Sequence, residues 1–182
     1  MQRVKGKIIT IPNILSMFRI VLIPVIVWLY VHNYNGYAVM VLLLSGLTDV
    51  VDGFVARHFN MISDFGKILD PIADKLTQFV TLICLVSKYK LMLIPLILLV
   101  VKEIFLGVQG LFVVKKTKVV KSANWHGKVT TFLLYFMIIT HIIWVNIPPS
   151  ISNMTIGACL AFMALSFVLY IMRNIEQLHE QV

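Results

Sequence analysis

Four aspartates, Asp49, Asp52, Asp70 and Asp74, fall within 26 residues of a strongly apolar chain. A carboxylate at bilayer depth costs several kcal/mol unless it is paired, hydrated or bound to metal. Gathered at one place, the four would repel one another by about 4 kcal/mol per close pair at an effective dielectric of ~20, so they need a cationic partner. Asp49 and Asp52 are spaced i, i+3 and share one face of a helix; Asp70 and Asp74 are spaced i, i+4 and share one face of the next. If those two helices pack antiparallel, the pairs meet and form a four-carboxylate box with room for two divalent ions about 4 Å apart. Hard oxygen ligands in that number suit Mg²⁺ or a similar ion such as Mn²⁺. Gly53 removes a side chain beside Asp52, and Ala56 is small one turn further on, leaving a notch for a flat group. Arg57 supplies a guanidinium fork suited to phosphate. Gly66 opens the following helix, whose N-terminus favours anions. Metal ligands, phosphate donors and a narrow slot together fit a pyrophosphate-bearing nucleotide. On the residues alone two further readings stay open: structural ion pairs with Lys67, Lys75 and Lys102, and carriage of a cation or proton through the membrane.

The elements that must position these residues follow from composition. Of 182 residues 59% are hydrophobic, and the mean hydropathy is +0.91. That is a polytopic helical membrane protein. At about 20 residues per span the length admits six helices, a single membrane domain over residues 1–182 and no soluble domain. Apolar runs place the helices at roughly 12–31, 37–58, 65–87, 91–114, 123–144 and 151–175, after a basic interfacial arm over residues 1–11 and before a polar tail. The apolar start lacks the small-residue cleavage site of a secretory signal. Cys84 and Cys159 lie in apolar runs without metal-ligand spacing. The net charge of +8 is read as cationic loops facing anionic headgroups, with no nucleic-acid partner. Arg3, Lys5, Lys7, Arg57, Lys115, Lys116, Lys118, Lys121 and Arg173 fall on one set of connections, Lys88 and Lys90 on the other. The excess puts both termini in the cytoplasm and the aspartates at the cytoplasmic face of the inner or plasma membrane.

The pattern Asp49-x2-Asp52-Gly53-x2-Ala56-Arg57-x8-Gly66-x3-Asp70-x3-Asp74 resembles the signature of the CDP-alcohol phosphatidyltransferase family. The run Pro12-Asn13-Ile14-Leu15-Ser16-Met17-Phe18-Arg19 is similar to that family's P-N-x-L-T-x-x-R, with serine for threonine. The resemblance implies a CDP-linked lipid donor, divalent metal and transfer to an alcohol with release of CMP. It implies Asp49, Asp52 and Asp70 as metal ligands, and Asp74 as general base that also touches metal. It implies a cytidine slot at Gly53, Ala56 and Gly66, Arg57 on the diphosphate, and Asn13, Ser16 and Arg19 closing the nucleotide side.

Acceptor choice falls outside the signature. Gly127-Lys128-x2-Thr131 resembles the G-K-x-x-T run of the phosphatidylglycerophosphate synthase branch, which implies Lys128 on the phosphate of glycerol 3-phosphate. Lys102, followed by Glu103, stands where that branch tends to carry arginine, so a cardiolipin synthase using phosphatidylglycerol is the alternative. His126 is read as an interfacial residue or a second phosphate donor, and His141 and Trp144 as far-side helix or belt residues. A homodimer is expected by the same resemblance. A cation transporter and a non-catalytic scaffold remain as readings from other classes.

Overall fold

A computed structural model describes residues 10–58, 65–117 and 125–179. Six α-helices account for nearly all of them: α1 Ile11–Val31, α2 Asn35–His58, α3 Gly66–Val86, α4 Leu93–Thr117, α5 Trp125–Ile143 and α6 Pro149–His179, with a single 3₁₀ turn at Lys90–Met92 before α4. The interfacial arm over residues 1–9, the connection at 59–64 and the loop lysines Lys118 and Lys121 lie outside the described residues. Backbone groups in hydrocarbon must be satisfied within the segment, and the described residues contain helices and turns without strands. Five helices, all but α3, are long and apolar enough to cross a bilayer. α3 carries Lys67, Asp70, Asp74 and Lys75 in its first half, so its polarity reflects what it holds. Val21, Met40, Val50, Ile104 and Phe132 are each more than half exposed. A water-soluble surface rarely shows apolar area on that scale; here it is the lipid-facing side of a multi-pass membrane protein.

The chain forms two compact units, Met1–Cys84 and Leu85–Val182. In the first, Thr10 caps α1 by accepting from the Asn13 amide at 3.4 Å, and Pro12 occupies the opening turn, where its missing N–H costs nothing. The α1–α2 turn needs a residue in the left-handed region. Asn33 supplies it at φ 61°, which a short polar side chain tolerates. The reversal packs α1 on α2. Arg19 lies twelve residues before the end of α1, and Asp49 fourteen after the start of α2. At 1.5 Å per residue both are ~20 Å from the turn and so at the same depth.

In the second unit α6 packs on both α4 and α5. It is longer than the apolar pattern indicates. Pro149 starts it, Ser152 N–H bonds Pro148 O at 3.0 Å, and the polar tail continues it with good helix formers (Arg173, Glu176, Gln177). α4 likewise runs through Lys115 and Lys116 to Thr117. His141 is buried in α5, which favours the helix reading of it over the belt. Its Nδ1 faces Met137 O at 2.8 Å and its Nε2 faces the Ser152 hydroxyl at 2.9 Å. A carbonyl only accepts, so Nδ1 carries the proton and, in the neutral ring, Nε2 accepts from Ser152. The Tyr89 ring stands edge-on to His141 at 5.0 Å, and its hydroxyl donates to Val145 O at 3.0 Å, fastening the α3–α4 connection to the end of α5.

Candidate functional site

Along α1, Asn13, Ser16 and Arg19 recur every three residues and are buried on one face. Ser16 donates back to Pro12 O at 3.1 Å, which satisfies its hydroxyl inside the first turns. Arg19 is 2% exposed and reaches three carboxylates: Nη1 donates to Asp49 Oδ1 at 2.5 Å, and Nη2 to Asp52 Oδ2 at 3.1 Å and to Asp70 Oδ1. One guanidinium from α1 thus ties α2 to α3. Oxygens of Asp49, Asp52 and Asp70 all lie within 4.8 Å of one another. The cluster has a closed floor and an open side. The Asp52 side chain is 3% exposed, while those of Asp49 and Asp70 are 42% exposed.

Three carboxylates against one guanidinium leave an excess of negative charge, and Asp49 feels both Asp70 and Asp74 electrostatically. The donor set fits a hard divalent cation. Opposite ligands of Mg²⁺ are separated by ~4.2 Å, so small side-chain rotations bring these oxygens into range. Asp74 is not in the three-carboxylate group; its Oδ2 accepts from Gln78 Nε2 at 3.0 Å, one turn along α3. Gly53 and Gly66 sit in α2 and at the first position of α3, both partly exposed. Ala56 and Arg57 belong to the last turn of α2, and their side chains lie outside the described ones. Arg19 is where geometry and sequence expectation part most. It is expected at the nucleotide edge and stands among the carboxylates.

The second unit gathers charge of the opposite sign. Lys102 of α4 is 6% exposed and His126 of α5 is 7% exposed. Lys102 and Arg173 are both within electrostatic reach of His126. The His126 ring meets Tyr170 of α6 at 4.6 Å, and its Nδ1 faces the Ser166 hydroxyl at 3.1 Å. The Arg173 guanidinium lies 5.8 Å over the Tyr170 ring. A burial of this kind corrects the expectation that His126 is interfacial. Lys128, the residue expected to bind the acceptor's phosphate, is exposed on α5. Its neighbour Gly127 matters sterically: a Cβ there would come 2.5 Å from the Tyr170 hydroxyl oxygen. Thr131 bonds back to Gly127 O at 3.1 Å, and Thr130 to His126 O at 2.8 Å. Sequence reasoning counted Arg173 as a loop charge and passed over Ser166 and Tyr170. Their i, i+4, i+7 spacing on α6 was the available signal.

With this geometry in hand, the likeness to known proteins is specific. The profile of the CDP-alcohol phosphatidyltransferase family matches residues 9–172, across both units. A CDP-diacylglycerol–glycerol-3-phosphate 3-phosphatidyltransferase of Aquifex aeolicus is 32% identical over 94% of this chain and 99% of its own length. A cardiolipin synthase (CMP-forming) of Streptomyces coelicolor is 36% identical over 71% of this chain and 63% of its own length. A Rickettsia felis protein with the same name as the Aquifex one is 35% identical over 69% of this chain and 71% of its length. The chain belongs to the CDP-alcohol phosphatidyltransferase family. It is a membrane-embedded transferase of phospholipid biosynthesis, and the transporter and scaffold readings have no remaining support.

Proposed function

We propose that the protein transfers the phosphatidyl group of CDP-diacylglycerol to sn-glycerol 3-phosphate, giving phosphatidylglycerophosphate and CMP. The observation that carries it is the convergence of Asp49, Asp52 and Asp70 oxygens within 4.8 Å on the family signature. These three residues hold Mg²⁺ or Mn²⁺, up to two ions when Asp74 joins them, and the metal supplies charge neutralisation of the diphosphate. The protein's own groups do the rest. Arg57 grips the diphosphate as a fork, and Gly53, Ala56 and Gly66 leave space for cytidine. Asn13 and Ser16 shape the wall beside it. Asp74, oriented by Gln78, takes the proton from the acceptor hydroxyl as its oxygen attacks the phosphorus next to diacylglycerol. A new P–O bond forms, the P–O bond to the CMP phosphate breaks, and the electron pair leaves with CMP.

The acceptor's phosphate is assigned to Lys102 and Arg173 beside His126, on three helices of the second unit, with exposed Lys128 as an outer contact. The catalytic face is cytoplasmic, both termini lie on that side, and the enzyme works as a homodimer in the cell membrane. Purified protein with CDP-diacylglycerol and Mg²⁺ or Mn²⁺ should release CMP when glycerol 3-phosphate is supplied. Product chromatography should show phosphatidylglycerophosphate. CMP release with phosphatidylglycerol alone would reassign the acceptor, and silence with every acceptor would refute the reading.

A further inference from the structure

The buried guanidinium at the centre of the acidic cluster has a feature that its ion pairs do not explain. Nη1 and Nη2 together serve Asp49, Asp52 and Asp70, yet Nε is buried with no hydrogen-bond partner among the described residues. A fully desolvated donor left unused is unfavourable. The arrangement therefore pairs each carboxylate with the guanidinium but leaves both the charge and the donor geometry incomplete. The same three carboxylates are those fit for a divalent ion, and a cation and a guanidinium held among them at close range repel each other.

We propose that Arg19 is an internal counter-ion that competes with the divalent metal for Asp49, Asp52 and Asp70, and that its release on metal binding frees its fork for the donor's diphosphate. The inference rests on the metal-site reading above. In the metal-free protein Arg19 holds α2 and α3 together and keeps the carboxylates converged. When a divalent ion takes these oxygens, the guanidinium has to withdraw to the rim. There Nε, Nη1 and Nη2 face a planar acceptor such as a diphosphate oxygen pair. Metal thus precedes donor, and one residue has two successive partners.

The test is Mn²⁺ titration of the purified full chain in phosphatidylcholine nanodiscs, with free Mn²⁺ read by electron paramagnetic resonance and no nucleotide present. Arg19→Gln removes the competitor and should bind Mn²⁺ roughly tenfold tighter than wild type. Arg19→Lys keeps the charge and loses the fork, so its Mn²⁺ affinity should stay nearer to wild type. At saturating Mn²⁺, CDP binding should fall about tenfold in both variants. Wild type that binds Mn²⁺ while Arg19→Gln binds it no tighter overturns the competition and leaves the metal site standing. Undiminished CDP binding by Arg19→Lys overturns the second role, and this variant decides that role if Arg19→Gln does not fold. Wild type that binds no Mn²⁺ removes the metal site and the competition together.

Discussion

The two units bury charge in opposite ways. Around Arg19, carboxylates from α2 and α3 outnumber their cation, and the open side exposes Asp49 and Asp70. Around His126, cationic Lys102 and Arg173 are set among Tyr170, Ser166 and backbone of α5 and α6. Carboxylates outnumber the cation at the first place, and cationic side chains gather near one histidine at the second. Burying like charges is costly. The excess of carboxylates suits the divalent-cation site proposed above, and the gathered cations suit the anionic acceptor proposed for the second unit. The lesson is that net local charge, more than the presence of buried ionic groups, separates binding residues from structural ones in a membrane protein.

The sharpest way to break the contrast is to remove the acidic cluster's function. Chelation with EDTA should abolish CMP release, and Mg²⁺ or Mn²⁺ should restore it. Asp70→Asn should lower turnover roughly 10³-fold at saturating substrates. The metal-free melting temperature should stay within a few degrees, because the lost bond to Arg19 is offset by relief of repulsion from Asp49 and Asp52. A collapse of the fold with the activity would make the cluster structural.

The cationic cluster is expected to show a different kinetic signature. Lys102→Ala should raise the KM for glycerol 3-phosphate by about two orders of magnitude, near 2.7 kcal/mol, with the KM for CDP-diacylglycerol unchanged. Lys128→Ala, exposed on α5, should raise it only about threefold. Equal effects of Lys102→Ala on both substrates would dissolve the distinction between the two regions.

Two stability measurements sharpen it further. Gly127→Ala places a methyl against the Tyr170 hydroxyl and should destabilise by about 1–3 kcal/mol, read by thermal unfolding in detergent. Tyr170→Phe in the same chain should recover part of the loss, because the nearest clashing atom is the hydroxyl oxygen. Away from both clusters, Ser152→Ala removes the donor to His141 Nε2 and should cost about 1 kcal/mol without changing either KM.

Much of this could be read from the chain beforehand, for identifiable reasons. Apolar run length marks five of the described helices because a bilayer imposes one length on every span. The i, i+3 pair at Asp49 and Asp52 shares a face because α-helical geometry leaves no alternative. Helix ends were less legible. The polar tail after Ile175 could be coil or helix by composition, and the structure continues α6 to His179. The interfacial reading of His126 and the belt reading of His141 fail because a lone histidine near a span end reads as interfacial by sequence. Only the neighbours, Ser166 and Tyr170 for one and Ser152 and Met137 for the other, make its burial tolerable.

What the sequence alone determined is periodic and local: apolar helices, paired carboxylates on single faces, a glycine and an arginine beside them, and from these the family. What tertiary structure decided is pairing across helices. Nothing in the spacing says that Arg19 of α1 reaches Asp49, Asp52 and Asp70, that Asp74 turns to Gln78, or that Lys102 and Arg173 converge on His126. Each depends on the depth at which one helix meets another, and side-chain packing sets that depth after the helices have formed.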